Sequence, residues 1–179
     1  MAEAKDRRVR RTRAAVLGAF NQLFLNRRRE IRAADLIAEA KVGRSTFYEH
    51  YSSADEVLLE ALRQPFATLA DAATGQGDPK AARWLVEHFW ENRQRARELF
   101  DNGRMQGRVA RLLAELVADR LEGADLIIPL ELAAAQLAEA ALAPLRGWLR
   151  AEAPAKPAAL AESLCRTGAA LRQALSASA

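Results

Sequence analysis

Apolar residues recur at helical spacing along almost the whole chain, and this periodicity is the feature that most constrains its fold. Val16, Phe20 and Leu23 lie three or four positions apart, which places them on one face of a helix running from about Arg8 to Asn26. Pro and Gly fall between such segments, and no segment shows the strict alternation of a half-buried strand. The pattern predicts an all-α protein.

The helical segments divide into a short amino-terminal group and a longer remainder. A short second helix is predicted from about Arg32 to Ala40, and the segment from Val42 to Tyr51 forms a third. We expect a three-helix DNA-binding domain over residues 1–52 and a larger helical domain over residues 53–179. The fourth helix is predicted to begin with a capping box, in which Ser53 accepts from the Glu56 amide and the Glu56 carboxylate reaches back.

Composition excludes several classes of protein. No run of about 18 apolar residues exists, and the amino terminus is Arg-rich without an apolar signal segment, so we expect a cytoplasmic protein that does not enter a membrane. The chain has one cysteine and two histidines, which provide neither a disulfide nor a zinc-site spacing. We find no Gly-rich phosphate loop and no nucleophile with an evident base, so no cofactor, metal or enzymatic activity is expected.

The charge is concentrated at one end of the chain. Residues 1–51 hold 12 Lys or Arg against 6 Asp or Glu, a net charge of +6, whereas the rest hold 15 against 17, a net charge of −2. A local excess of positive charge is what contact with nucleic-acid phosphates requires. A solvated basic tail is the alternative that charge alone leaves open.

The segment from Val42 to Tyr51 combines two kinds of side chain in the way a recognition helix does. Its first turn offers groups that bond to base edges and phosphates, namely Arg44, Ser45 and Thr46. Its apolar residues are spaced to hold the helix against a small core, namely Val42, Phe47 and Tyr51. With the preceding helix it has the length of a helix-turn-helix unit, whose second helix lies in the major groove.

The residues themselves resemble a known family. The stretch from Asp35 to Tyr51 (DLIAEAKVGRSTFYEHY), followed by SADEVLL from Ser53, resembles the DNA-binding domain of the TetR family of bacterial transcriptional regulators. The resemblance covers roughly residues 8–62, and the remainder matches only in being helical and of suitable length. It implies that Arg44, Ser45 and Thr46 lie at the groove, that Tyr48 donates to a phosphate, and that His50 lies at or near the backbone. Alternatively, Tyr48 is partly core, and His50 only caps or packs.

The chain departs from the family pattern at several positions around this motif. Lys41 replaces the glycine of the turn, so either the turn changes or a lysine adopts a left-handed conformation. Arg32 stands where a phosphate-binding threonine usually begins the second helix, and its charge can make that contact. Ala54 stands where a lysine often touches phosphate, which leaves the backbone amides and the Ser53 hydroxyl there.

For the larger domain, the resemblance implies a homodimer that binds a small-molecule inducer and then releases DNA. The large side chains of the central helices are the candidate pocket residues, and several of them are alternatively ordinary core: Trp84, His88, Phe89, Phe100, Met105 and Trp148.

Two carboxy-terminal segments carry wide apolar faces with many small residues, which let helix axes approach closely. We expect them to form a four-helix bundle across a two-fold axis, unless both simply pack on their own domain. The expected interface comprises Leu137, Ala141, Leu145, Leu160, Leu164, Gly168 and Leu171.

Together these observations predict a DNA-binding transcriptional regulator, a repressor that binds a near-palindromic double-stranded operator as a homodimer and is released by a small molecule. The alternative is a DNA-binding regulator whose second domain only dimerises or docks a protein partner.

Overall fold

The computed structural model of the chain describes residues 2–26 and 30–177. Nine helices form the regular structure of that part, and its only β contact is an isolated bridge between Leu126 and Ser176. The all-α prediction is therefore confirmed. The helices are α1 (Ala2–Asn26), α2 (Ala33–Ala40), α3 (Arg44–Tyr48), α4 (Ala54–Ala73), α5 (Pro79–Glu91), α6 (Arg93–Asp101), α7 (Gly103–Leu121), α8 (Leu130–Leu149) and α9 (Pro157–Ala174).

The contacts divide the chain into two compact units, Met1–Leu62 and Arg63–Ala179. The division falls inside α4, which begins in the first unit and ends in the second. Pro65 lies just beyond this division, and its missing N–H deprives the Ala61 carbonyl of its helical partner. The division by function at residues 52 and 53 stays a prediction.

The first helix is longer than its apolar stripe. It begins at Ala2, whereas the periodicity predicted a start near Arg8. The extra turns contain Ala, Glu and Lys, which have high helix propensity and extend the helix beyond the apolar stripe. A hydrophobic stripe therefore marks where a helix is packed rather than where it begins.

One hydrophobic cluster holds the first unit together. It joins α1, α2, α3 and α4 and consists of Val16, Phe20, Leu23, Leu36, Phe47, Tyr51 and Val57. Phe20 and Phe24 stack with ring centroids 5.6 Å apart. The helices α2 and α3, with eight and five residues, are too short to be stable alone in water and are fixed by this shared apolar core.

The second unit is a bundle of α5 to α9 with the end of α4. Asp78 caps α5 by accepting from the Lys80 amide at 2.9 Å, and Pro79 occupies the first helical position, as the sequence favours. The half-buried Arg120 of α7 donates to the Asp71 carboxylate at 2.6 Å and to the Ala67 carbonyl at 3.0 Å. These bonds fasten α7 to the carboxy-terminal half of α4.

Most large apolar residues of these helices lie on faces that are buried by packing. Within the described ranges, no helix combines the length and the hydropathy that crossing a membrane requires.

Candidate nucleic-acid interface

The turn between α2 and α3 sets the position of the third helix. The Lys41 amide donates to the Ala38 carbonyl and the Val42 amide to the Ile37 carbonyl, each at 3.3 Å, which is the bonding pattern of a Schellman motif. Val42 and Ile37 both pack against the hydrophobic cluster, completing the motif with its apolar contact. Lys41 adopts the left-handed conformation with φ 52° and ψ 40°, so the turn keeps its shape and the lysine takes the conformation usually left to glycine.

The third helix buries one face and exposes the other. Phe47 is fully buried in the hydrophobic cluster, and Tyr51 beyond the end of the helix is also buried, as predicted for both. Arg44 and Ser45 in the first turn are exposed, Thr46 is half-buried, and Tyr48 keeps 47% of its surface exposed. The buried phenylalanine therefore presents these polar side chains on the outer face.

An aromatic pair organises that outer face. The Tyr48 ring meets the Phe47 ring edge to face, with centroids 5.3 Å apart and planes at 89°. The Arg44 guanidinium carbon lies 5.8 Å from the centroid of the Tyr48 ring, within the range of a cation–π contact. Arg44 and Tyr48 were predicted to have separate roles, and no contact between them was predicted, although their spacing of four residues in a helix already favours one.

Arg32 and His50 lie in sequence just before α2 and just after α3. His50 is half-buried in the turn that follows α3, and its amide donates to the Phe47 carbonyl at 3.0 Å. Arg32 precedes α2 with an exposed side chain, while its own amide donates to the Asp35 carboxylate at 3.1 Å. The Arg32 guanidinium therefore lies on the surface at the start of α2.

The start of α4 differs from the predicted capping box. The Glu56 carboxylate reaches back to Ser52, one residue earlier than expected, and accepts from both its amide and its hydroxyl at 2.7 Å. Since α4 begins at Ala54, Ser53 stands at the predicted cap position, and the difference lies in the Glu56 carboxylate, which bonds the residue before the cap. Ser53, predicted to contact phosphate, is half-buried between these residues.

A charged pair fastens the far side of the unit. Arg13 of α1 donates to both carboxylate oxygens of Glu60 in α4, at 2.7 and 3.2 Å, and its guanidinium carbon lies 5.7 Å from the Tyr51 ring centroid. Burial, followed by the neighbouring Glu60 carboxylate, raises the pKa of Tyr51 above its ordinary value. The buried tyrosine therefore contacts both Arg13 and Phe47.

Comparisons with known proteins find matches among solved structures. No family model and none of the curated proteins searched matches the chain. Among solved structures, a TetR transcriptional regulator from Streptococcus agalactiae 2603V is 26% identical, with a TM-score of 0.51, over 94% of this chain and 99% of that one. The chain is TetR-like.

A second solved structure agrees in fold. The dihydroxyacetone kinase operon activator DhaS is 18% identical, with a TM-score of 0.53, and the match covers 93% of this chain and 98% of that one. At this identity the second match bears on the fold alone, and the first structure is the one described as a transcriptional regulator. The similarity supports a DNA-binding transcription regulator for the TetR-like chain.

The six side chains predicted to line a pocket are scattered between core and surface of the second unit. Phe89, Phe100, Met105 and Trp148 are buried; Trp148 packs on Trp90 at 4.6 Å and donates to the Ala155 carbonyl at 2.9 Å. Trp84, by contrast, is 61% exposed and stacks on the half-buried His88, with centroids 5.4 Å apart.

A small cleft of the second unit is lined by other residues. It holds about 10 Å³, room for roughly one water, between Ala73, Leu137, Ala140, Ala141, Leu164, Thr167 and Gly168. No group of three or more His, Cys, Asp or Glu side chains that suits a metal ion occurs among the residues described.

The seven residues expected at a dimer interface face inwards in the TetR-like chain. Six are buried within their own unit and Leu171 is half-buried: Leu137, Ala141, Leu145, Leu160, Leu164, Gly168 and Leu171. The apolar stripes of α8 and α9 are used for packing inside the chain, and a dimer interface through these residues stays a prediction. The opposite faces of both helices remain exposed and include Leu132, Ala135, Ala143, Ala159 and Ala170.

Proposed function

We propose that the TetR-like chain is a cytoplasmic transcriptional repressor that binds a near-palindromic double-stranded operator as a homodimer. The observation that carries the proposal is the two-sided third helix, with Phe47 in the core and Arg44, Ser45 and Tyr48 on the outer face. A helix-turn-helix unit places such a face in the major groove, with its first residues near the bases.

Each outer side chain has a role that follows from its chemistry. Arg44 reads a base, since bidentate Arg to guanine is the commonest specific contact. Ser45 and Thr46 bond to base edges or phosphates beside it, and Tyr48 donates to a phosphate. Arg32, Ser53 and His50 contact the backbone at the edges of the site, where they fix the position of the helix without reading sequence.

Base reading by Arg44 is tested with duplexes from the region upstream of the chain's own gene in a gel-shift assay. Arg44→Ala is expected to lose about 1–3 kcal/mol of discrimination against changes at one base pair of each half-site. Arg83→Ala, which removes an exposed arginine of the second unit, is the matched control and keeps the preference. Unchanged discrimination in Arg44→Ala would remove it as the base reader.

The homodimer follows from the operator symmetry, since two recognition helices related by a two-fold axis read two half-sites. We propose that the outer, alanine-containing faces of α8 and α9 form the interface, because the inner faces are already buried. Light scattering is expected to give twice the chain mass of 19.7 kDa, and Ala135→Arg is expected to lower the measured mass. A wild-type monomer at micromolar concentration would contradict the dimer.

Release by a small molecule is the proposed control of the repressor. A ligand that binds the DNA-releasing arrangement more tightly lowers operator affinity by its difference in affinity for the two arrangements. Hydrophobic and cationic compounds are the probes, and an inducer is expected both to raise the melting temperature and to weaken the gel shift.

The packing of the second unit favours a second candidate function. Phe89, Phe100, Met105 and Trp148 are committed to packing, and the cleft beside Leu137 has room for about one water. A second unit of this kind serves dimerisation or docks a protein partner instead of holding an inducer. Under this candidate, compounds leave the melting temperature and the gel shift unchanged while operator binding persists.

A further inference from the structure

We propose that Tyr48 is a positioning residue for Arg44: its ring holds the guanidinium in the orientation from which Arg44 reads a base. This role is separate from any bond that the Tyr48 hydroxyl makes to phosphate. The inference rests on the proposed function, since it concerns how the same DNA-binding face obtains its specificity.

The Arg44 guanidinium and the Tyr48 ring are in contact on the outer face of α3. Arg44 and Tyr48 are four residues apart in α3, so their side chains lie on one face of the helix. The guanidinium carbon is 5.8 Å from the ring centroid, a distance at which the negative face of an aromatic ring attracts a cation. Both side chains are exposed, so both are accessible to an approaching duplex.

The Tyr48 ring is held from behind. Phe47 has no exposed surface, and its ring meets Tyr48 edge to face at 5.3 Å and Tyr51 at 5.7 Å. The Tyr48 ring therefore has a fixed neighbour on its buried side and the arginine on its outer side. A line of contacts runs from the core of the unit to the base-reading group.

A fixed guanidinium favours base reading. An arginine side chain has many rotamers, and bidentate reading of guanine uses only those that bring the planar fork to the base edge. A ring that restricts the free side chain to fewer orientations reduces the entropy lost on binding DNA. The gain applies to the base pair that Arg44 reads and to no other.

The matched pair Tyr48→Phe and Tyr48→Leu separates the ring from the hydroxyl. Binding sites are first selected by the wild-type chain from a random-sequence duplex library, and affinities are then measured for single-base-pair changes. Tyr48→Phe is expected to weaken binding to all duplexes by a similar factor and to keep the preference at the base pair that Arg44→Ala identifies. Tyr48→Leu is expected to lose a further two- to fivefold, roughly, in discrimination at that base pair of each half-site.

A double-mutant cycle tests the coupling directly. With Arg44→Ala in the background, Tyr48→Phe and Tyr48→Leu are expected to show equal discrimination at every base pair, because no guanidinium remains to be held. Circular dichroism checks that both variants fold, as the 47% exposure of Tyr48 leads us to expect.

Three results would overturn the inference alone: discrimination in Tyr48→Leu equal to that in Tyr48→Phe, a difference spread evenly over all base pairs, or a difference that persists without Arg44. A wild-type chain that selects no motif would overturn the proposed function, and this inference with it.

Discussion

Lys41 shows how a single residue takes a conformation that its type disfavours because its neighbours require it. The two bonds of the Schellman motif need a left-handed residue after α2, and Val42 must follow it into the hydrophobic cluster. Lys41 and Ala151 are the non-glycine residues with positive φ in the described ranges. The backbone strain at Lys41 is therefore offset by the packing on either side of the turn.

Lys41→Gly is expected to raise the free energy of unfolding of the first unit by about 1 kcal/mol. Glycine avoids the energetic cost of the left-handed conformation, and this gain exceeds the loss that comes from a more flexible unfolded chain. Lys41→Ala is the control, since it removes the charge and keeps the strained Cβ. Urea unfolding followed by tyrosine fluorescence reports on this unit, which contains both tyrosines. Equal stability of the glycine and alanine variants would contradict strain at this position.

Tyr51 makes the first unit sensitive to alkaline pH. Burial, followed by the Glu60 carboxylate, raises the pKa of Tyr51 above the ordinary 10.0, so the folded state keeps a proton that the unfolded state releases. The resulting stability is fully present below pH 10 and falls as pH rises beyond it, by up to about 1.4 kcal/mol per pH unit.

This pH dependence is measured by urea unfolding at pH 8 to 11 in the wild-type chain and in Tyr51→Phe, with far-UV circular dichroism as the signal. The variant lacks the titrating hydroxyl, so its stability is expected to fall less steeply above pH 10. Parallel pH profiles in the two proteins would show that Tyr51 titrates equally in the folded and unfolded states.

At the scale of elements, α9 packs against the end of α4 through a close backbone contact. A Cβ built at Gly168 would fall within 3.0 Å of the Ala72 and Ala73 carbonyl oxygens, which are backbone atoms and cannot rotate away. Gly75 ends α4 in the left-handed conformation beside Ala169. Glycine at 168 therefore sets the distance between the two helices.

We expect Gly168→Ala and Gly107→Ala to change the free energy of unfolding in opposite directions, although the substitution is the same. Gly168→Ala is expected to lower the free energy of unfolding by about 1–3 kcal/mol through overpacking. Gly107 lies within α7 with open space around it, so its change to alanine is expected to raise the free energy of unfolding by about 0.5–1 kcal/mol. Tryptophan fluorescence follows the second unit, which contains Trp84, Trp90 and Trp148; destabilisation by both variants would contradict the steric argument.

For the whole molecule, the uneven charge makes DNA binding depend on salt. The net charge of +6 over residues 1–51 favours phosphate contact, and each contact releases condensed counterions. Arg32→Ala is expected to reduce the slope of log affinity against log salt by about 0.9 for each lost contact, or about 1.8 for a dimer.

The measurement is a salt titration of operator binding by fluorescence anisotropy. Arg83→Ala in the second unit is the control and is expected to keep the wild-type slope. If the two variants show the same slope, Arg32 does not contact a phosphate.

The helical class and the start and end of α2 were predictable because they depend on local signals. Val16, Phe20 and Leu23 repeat at helical spacing, and a helix places residues with this spacing on one face, where they can be buried together. The capping of α4 was less predictable: Ser52 and Ser53 are adjacent serines, and the capping pattern in the sequence does not distinguish which of them meets Glu56.

The partner of each apolar face was not predictable in the same way. Leu137, Leu145 and Leu164 have the spacing of a packed stripe, which is compatible with a second copy or with the chain itself. The structure shows that neighbouring helices of the same unit cover them. Periodicity states that a face is buried and is silent about what buries it, because that depends on contacts between residues far apart in the chain.

The sequence by itself therefore determined the all-α class, the likeness of residues 35–59 to a TetR-like DNA-binding motif, and the burial of Phe47 and Tyr51, since these follow from local spacing and side-chain chemistry. The tertiary structure alone decided that Lys41 is left-handed, that Arg13 pairs with Glu60 beside Tyr51, and that the stripes of α8 and α9 are internal. Each of these depends on which distant segments meet, and only the packed core settles that.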